Sequence, residues 1–107
     1  MKLALEALRA LAHEHRLAAF RCLVQAGPAG LAVGEVRAAL AIPAATLSAH
    51  LNVMRGAGLL RERREGRVIR LFADFAHMTA LLAFLTDNCC AGSADAAGEC
   101  PPGVRCA

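Results

Sequence analysis

"AATLSAHLNVMRGAGLLRERREGRVIRLFA", residues 44–73, changes its hydrophobic period halfway along. In the first half Leu47, Leu51 and Met54 recur at helical spacing, which predicts a helix over 44–57 ending at Gly56 or Gly58. In the second half, 59–64 and 67–73 alternate apolar and charged residues. Glu65-Gly66 between them fits a tight turn, so these segments read as a two-stranded hairpin.

Upstream, residues 33–40 form a short amphipathic helix, and "IP" at 42–43 separates it from the helix at 44. Two helices joined by a tight turn and followed by a hairpin describe a winged helix-turn-helix, mainly α with a two-stranded β wing. Residues 14–26 give an earlier helix with Leu17, Phe20 and Val24 on one face, stopped by "AGPAG" at 26–30. Residues 3–12 place Leu5, Leu8 and Ala12 at helical spacing. Residues 75–88 close the regular part, with Met78, Leu81, Leu82 and Leu85 as a continuous apolar stripe. Beyond 88 hydrophobic periodicity ends. The organisation expected is one domain over 1–88 and a flexible cysteine-rich tail over 89–107.

Alanine supplies 25 of the 107 residues and inflates the apolar fraction of 57%. Alanine favours helix but buries little area, so the core should be thin, and such chains often complete their burial by dimerising. The longest uncharged run, 38–54, contains Pro43, Ser48, His50 and Asn52, which argues against a membrane span. The first fifteen residues are broken by Glu6, Arg9, His13 and Glu14 and make no convincing signal peptide. The expected compartment is the cytoplasm, where clustered thiols are more often ligands than disulfides.

Net charge is only +3, yet six of the twelve Lys/Arg fall between 55 and 70. A local basic cluster on a near-neutral chain is the footprint of nucleic-acid binding. On helix 44–57 the face opposite the buried stripe carries small residues, which allow close approach to a duplex. Thr46 and Ser48 can donate to phosphates or base edges, and Ala49 can touch a thymine methyl. Asn52 shares that face and Arg55 favours the duplex backbone; His50, flanking the core stripe, is either a further DNA contact or a boundary histidine hydrogen-bonded within the protein. No Arg, Gln or Asn occupies the first turn, so much of the affinity should come from phosphates, through Arg61, Arg63, Arg64 and Arg67. The expected partner is double-stranded operator DNA.

"TLSAHLNVMRGAGLLRERREGRVIRLFA", residues 46–73, resembles the signature of the ArsR/SmtB family of bacterial metal-responsive repressors. The matching pattern is Ser-x-His-Leu, a Leu or Met three residues on, Ala-Gly-Leu, and a basic wing containing "REGR". "LRALAHEHRLAAFRCLVQAG", residues 8–27, is similar to the helix pair that opens that family's domain. The resemblance covers about residues 3–88. It implies a homodimer with the first and last helices at the interface, and repression relieved by an inducing ion.

Arsenical-resistance members often carry Cys-x-Cys before the reader helix; here Ala32 and Gly34 stand at those places. The zinc-sensing pattern on the last helix is not matched by Asp74, His77 and Asp87. Other arsenic-responsive members have "NCC" at the end of the last helix and a third cysteine beyond it, as in "NCCAGSADAAGECPPGVRCA", residues 88–107. The resemblance therefore implies As(III), or Sb(III), as inducer, with Cys89, Cys90 and Cys100 as ligands and Cys106 as a further candidate. Soft thiolates suit such ions, which bind three sulfurs pyramidally. Alternatives are a methylated arsenical, Cd(II), Pb(II) or Zn(II) on the same thiols, or a redox switch pairing Cys89 or Cys90 with Cys100. No organic cofactor is expected. A thiol enzyme is disfavoured because the Cys pair follows a helix C-terminus, the wrong dipole end to lower a thiol pKa. Cys22, mid-helix in "AFRCLV", reads as a small buried hydrophobe.

Overall fold

A computed structural model describes residues 1–87. The order is α1 (Lys2–Leu11), α2 (Glu14–Ala26), a 3-10 turn (Gly27–Ala29), β1 (Leu31–Ala32), α3 (Val33–Leu40), α4 (Ala44–Gly56), β2 (Leu60–Glu65), β3 (Val68–Ala73) and α5 (Phe75–Leu85). This is the winged helix-turn-helix expected, with α3 and α4 as the pair and β2–β3 as the wing. The proposed tail, 89–107, lies outside the described residues.

The wing is antiparallel, running from Leu60↔Ala73 to Glu65↔Val68. Its turn is Gly66-Arg67, one residue later than the sequence implies. Gly66 has φ +64°, and Arg67 keeps an ordinary negative φ, the pattern of a type II′ turn with glycine first. The sequence gives no sign of β1, whose two residues pair with β3 as Leu31↔Leu71 and Ala32↔Arg70. The sheet order is therefore β1-β3-β2, and β3 is central. Gly30, just before β1, makes the close approach. With φ +66° and ψ −171° it occupies a region open essentially only to glycine.

Each helix of the pair starts differently. At α3, Glu35 reaches back so that its Oε1 accepts from the Ala32 N–H at 2.8 Å, one half of a capping box. At α4, Pro43 is the N-cap and no side chain caps the first turn. Between them Ala41 ends α3 in the left-handed region, φ 53° and ψ 45°. That conformation costs a non-glycine residue roughly 1–2 kcal/mol, and it makes the turn that swings α4 away from α3.

The core is one cluster joining all five helices and the sheet. Leu23, Leu47, Met54, Leu59, Leu71 and Val36 are its largest fully buried side chains. Burying each contributes about 1.5–3 kcal/mol. The α4 stripe Leu47, Leu51 and Met54 is buried as expected. The other helices differ from the sequence reading. On α1 the core takes Ala7 and Ala10, and Leu3, Leu5 and Leu8 stay exposed. On α2 Phe20 is buried but Leu17 is exposed. The α5 stripe splits: Leu81 is buried, Met78 half-buried, and Leu82 and Leu85 are 53% and 51% exposed. The small residues go inward because α1 packs against α2, α4 and α5 at once, and only alanine permits such close helix approach. The leucines are left facing out. No helix among the described residues is long and apolar enough to cross a membrane.

Candidate nucleic-acid interface

α4 presents Ala45, Thr46, Ser48, Ala49 and Asn52 to solvent, because a helix that buries 47, 51 and 54 must expose 45, 48, 49 and 52. Its uncapped first turn leaves backbone N–H groups at the positive end of the helix dipole. Such a terminus accepts a phosphate readily. Arg55, in the last turn, is already engaged. It donates to Asn52 Oδ1 at 2.6 Å and to Glu62 Oε2 of β2 at 2.9 Å. The bridge ties reader helix to wing, but both partners are exposed, so it adds little stability by itself.

The wing arginines fall into two groups. Strand alternation puts Arg63 and Arg70 directly across from each other on one face. Glu65 accepts from both, Arg63 at 2.7 Å and Arg70 at 3.0 Å. The Arg70 bond, then the Arg63 bond, hold the Glu65 carboxyl below its ordinary pKa. Arg63 also lies over the Phe72 ring, 5.0 Å from its centroid. Arg61, Arg64 and Arg67 have no ion-pair partner among the described residues and are exposed. The arrangement thus offers an uncapped helix start, a flat polar face and three unneutralised arginines on the adjoining wing.

His50 stands apart from this surface. It is half-buried and turned towards α2, with its ring 4.4 Å from that of His13. His15 completes a group of three imidazoles that sequence spacing does not reveal. The signal was present as the His-x-His at 13 and 15, but nothing in the spacing says that α4 crosses the start of α2. Cys22 is half-buried and reduced. Cys89, Cys90, Cys100 and Cys106 lie outside the described residues. Among the described residues no three His, Cys, Asp or Glu side chains form a metal-holding group.

A family model described as a helix-turn-helix domain matches residues 11–63, from the end of α1 into β2. No curated protein matches the chain. Several solved structures do. HlyU from Vibrio cholerae is 28% identical, with a TM-score of 0.67 over 79% of this chain and 89% of that one. A homodimeric winged helix-turn-helix DNA-binding domain from Mycobacterium bovis, described as a possible ArsR-family transcriptional regulator, is 29% identical. Its TM-score is 0.64 over 81% of each chain. An ArsR-like transcriptional regulator from Rhodococcus sp. RHA1 shares the fold at 24% identity, with a TM-score of 0.68 over 78% of this chain and 76% of that one. With that helix-turn-helix signature laid over this fold, the chain is similar in sequence and architecture to winged helix-turn-helix transcriptional regulators of the ArsR type.

Proposed function

We propose that the chain is an ArsR-family repressor that binds two-fold symmetric operator DNA as a homodimer and releases it when As(III), or Sb(III), binds its C-terminal thiolates. The observation that carries the DNA half is the pairing of an exposed, small-residue reader helix with the unneutralised wing arginines. Thr46, Ser48, Ala49 and Asn52 meet the major groove. Arg61, Arg64 and Arg67 meet phosphates, and Arg55 and Arg63 join them once phosphate competes with Glu62 and Glu65. In a two-fold dimer the reader helices enter successive major grooves about 34 Å apart.

Dimerisation is supported by the apolar side chains that α1 and α5 leave in water. Leu3, Leu82, Phe84 and Leu85 are all 45% exposed or more. A groove of about 200 Å³ between the two helices, lined by Leu3, Ala4, Ala80, Leu81 and Phe84 among others, continues that surface.

The inducer half rests on donor chemistry. Residues 88–107 hold four cysteines and no histidine. Such a set favours thiophilic ions over those that prefer imidazole or carboxylate. Cys89 and Cys90 follow the end of the interface helix α5 after only three intervening residues in the chain, so an ion held there and by Cys100 acts near the surface that sets reader spacing. By linkage, operator DNA must weaken ion binding by the same factor, a coupling of about 1–3 kcal/mol.

Two experiments test the two halves. Cys89→Ser and Cys90→Ser should each bind operator normally yet fail to release it with arsenite, in a fluorescence anisotropy titration. Normal release by both would sink the inducer site. Arsenic-edge X-ray absorption counts the sulfurs, and Cys100→Ser against Cys106→Ser tells which completes the set. Four sulfurs, or a preference for Cd(II), Pb(II) or Zn(II), would change the ion. Release by peroxide without an ion would make the tail a redox switch. For the DNA half, log Kd should vary steeply with log salt, at roughly 0.9 per phosphate neutralised. Arg64→Ala or Arg67→Ala should each shallow that slope by about 2 per dimer, one contact in each subunit. An unchanged slope would remove that arginine from the interface.

A further inference from the structure

Three imidazoles meet where the start of α2 crosses the reader helix. The ring centroids of His13 and His50 are 4.4 Å apart, those of His13 and His15 5.7 Å, and those of His15 and His50 5.8 Å. His13 is also the N-cap of α2, where its Nδ1 accepts from the His15 backbone N–H at 3.1 Å. In that bond Nδ1 is the acceptor, which fixes the orientation of the His13 ring at the start of α2.

Everything charged near the group opposes a positive imidazole except exposed or engaged carboxylates. From α2, Arg16 adds a fixed charge, with its Nε held by Ala10 O at 2.7 Å. The positive end of the α2 dipole adds another. From α1, Glu6 and Arg9 line the cleft shared with Arg16 and the far end of α4. From β2, Glu62 is taken by Arg55. Glu14, in the first turn of α2, points to solvent. Among the described residues none of the three histidines forms an ion pair. Desolvation first, then His13, Arg16 and His15, push the His50 pKa below 6.5.

We propose that His50 and His13 are positioning residues for DNA binding: ring against ring, they seat the reader helix on the start of α2, and a charge on His50 unseats it. The helix face that meets DNA then loses its angle to the wing, and operator affinity falls. The sign follows from linkage. A base with a lowered folded-state pKa contributes stability that is complete above its unfolded pKa and is lost as pH falls below about 6.5. Were these histidines instead direct phosphate contacts, protonation would tighten binding, so the two roles predict opposite slopes.

The test uses the reduced, ion-free full chain and a labelled duplex selected on the wild-type protein, at fixed salt, from about pH 8 to about pH 5.5. Wild-type Kd is expected to weaken by about tenfold or more across this range, while far-UV circular dichroism shows the chain still folded. His13→Asn keeps an N-cap acceptor but removes the ring against which His50 packs, so it should bind at pH 8 and flatten the profile. His50→Gln should flatten it too, and His77→Gln, outside the group, should leave the wild-type profile intact. Affinity that stays level or rises with acid in the wild type overturns the proposal. So does a wild-type profile in both His13→Asn and His50→Gln.

Discussion

A Leu82→Asp, Leu85→Asp double variant is expected to elute as a monomer and to lose about 10²–10⁴-fold in operator affinity. Both leucines lie on α5 and are half-exposed in the isolated subunit, so a carboxylate at either place stays hydrated there and the fold survives. In a dimer built on α1 and α5 the same carboxylates would be desolvated without partners, which an interface core does not tolerate. The loss of affinity needs no change at the reader helix. Two half-sites bound by one dimer gain from effective concentration, and a monomer keeps only a single half-site's contacts. Size-exclusion chromatography with light scattering reads the first effect and anisotropy the second. A folded variant that remains dimeric would place the interface elsewhere, and a monomer with wild-type affinity would remove the need for one.

Gly30→Ala is the substitution expected to cost most stability, roughly 3–6 kcal/mol. Two terms add. The backbone there, φ +66° and ψ −171°, is one that side-chain-bearing residues avoid. A Cβ would also collide with the Leu71 carbonyl oxygen, and would stand 2.7 and 2.8 Å from Cδ2 and Cε2 of Phe72. The carbonyl belongs to the central strand and cannot move without breaking the sheet. Gly27 isolates the first term. Its φ of +69° and ψ of −152° are equally restrictive, but nothing lies within 4 Å of its would-be Cβ. Gly27→Ala should therefore cost only about 1–3 kcal/mol. Against a typical domain stability of about 5–15 kcal/mol, Gly30→Ala should leave a large part of the chain unfolded when warmed. Equal melting temperatures for the two variants would show that the collision at Gly30 is relieved cheaply.

Much of this fold can be read from periodicity, and the exceptions have identifiable causes. The α4 stripe and the wing were legible because one face of each is committed to the core, and a committed face imprints its period on the sequence. β1 was not, since two residues cannot display alternation. α1 misled for a different reason. Leucine outranks alanine as a mark of a buried face, yet the crowded position of α1 admits only Ala7 and Ala10 inward. Its leucines instead mark a surface that one subunit alone does not cover. Among the candidate contacts, the six basic positions were legible, but their division was not. That Glu65 neutralises Arg63 and Arg70 while Arg61, Arg64 and Arg67 have no ion pair among the described residues depends on register across the hairpin, and the turn falls one residue later than expected. His50 was read as a contact or a boundary residue. Its meeting with His13 depends on how two helices cross, which the sequence does not spell out.

The two-residue strand also has a consequence for the order of folding. The β2–β3 hairpin closes across two residues, a local and fast event. β1 can reach β3 only by spanning α3, α4 and β2, because Leu31 pairs with Leu71. Closing that long loop carries the largest entropic cost in the sheet, and contacts of such sequence separation form late. A chain caught before that step would own a complete reader helix and a complete wing, already tied by Arg55 and Glu62, with the start of α3 not yet fixed to the sheet. The seating of the helix pair on the sheet, rather than the making of either half, is therefore the last step this fold takes.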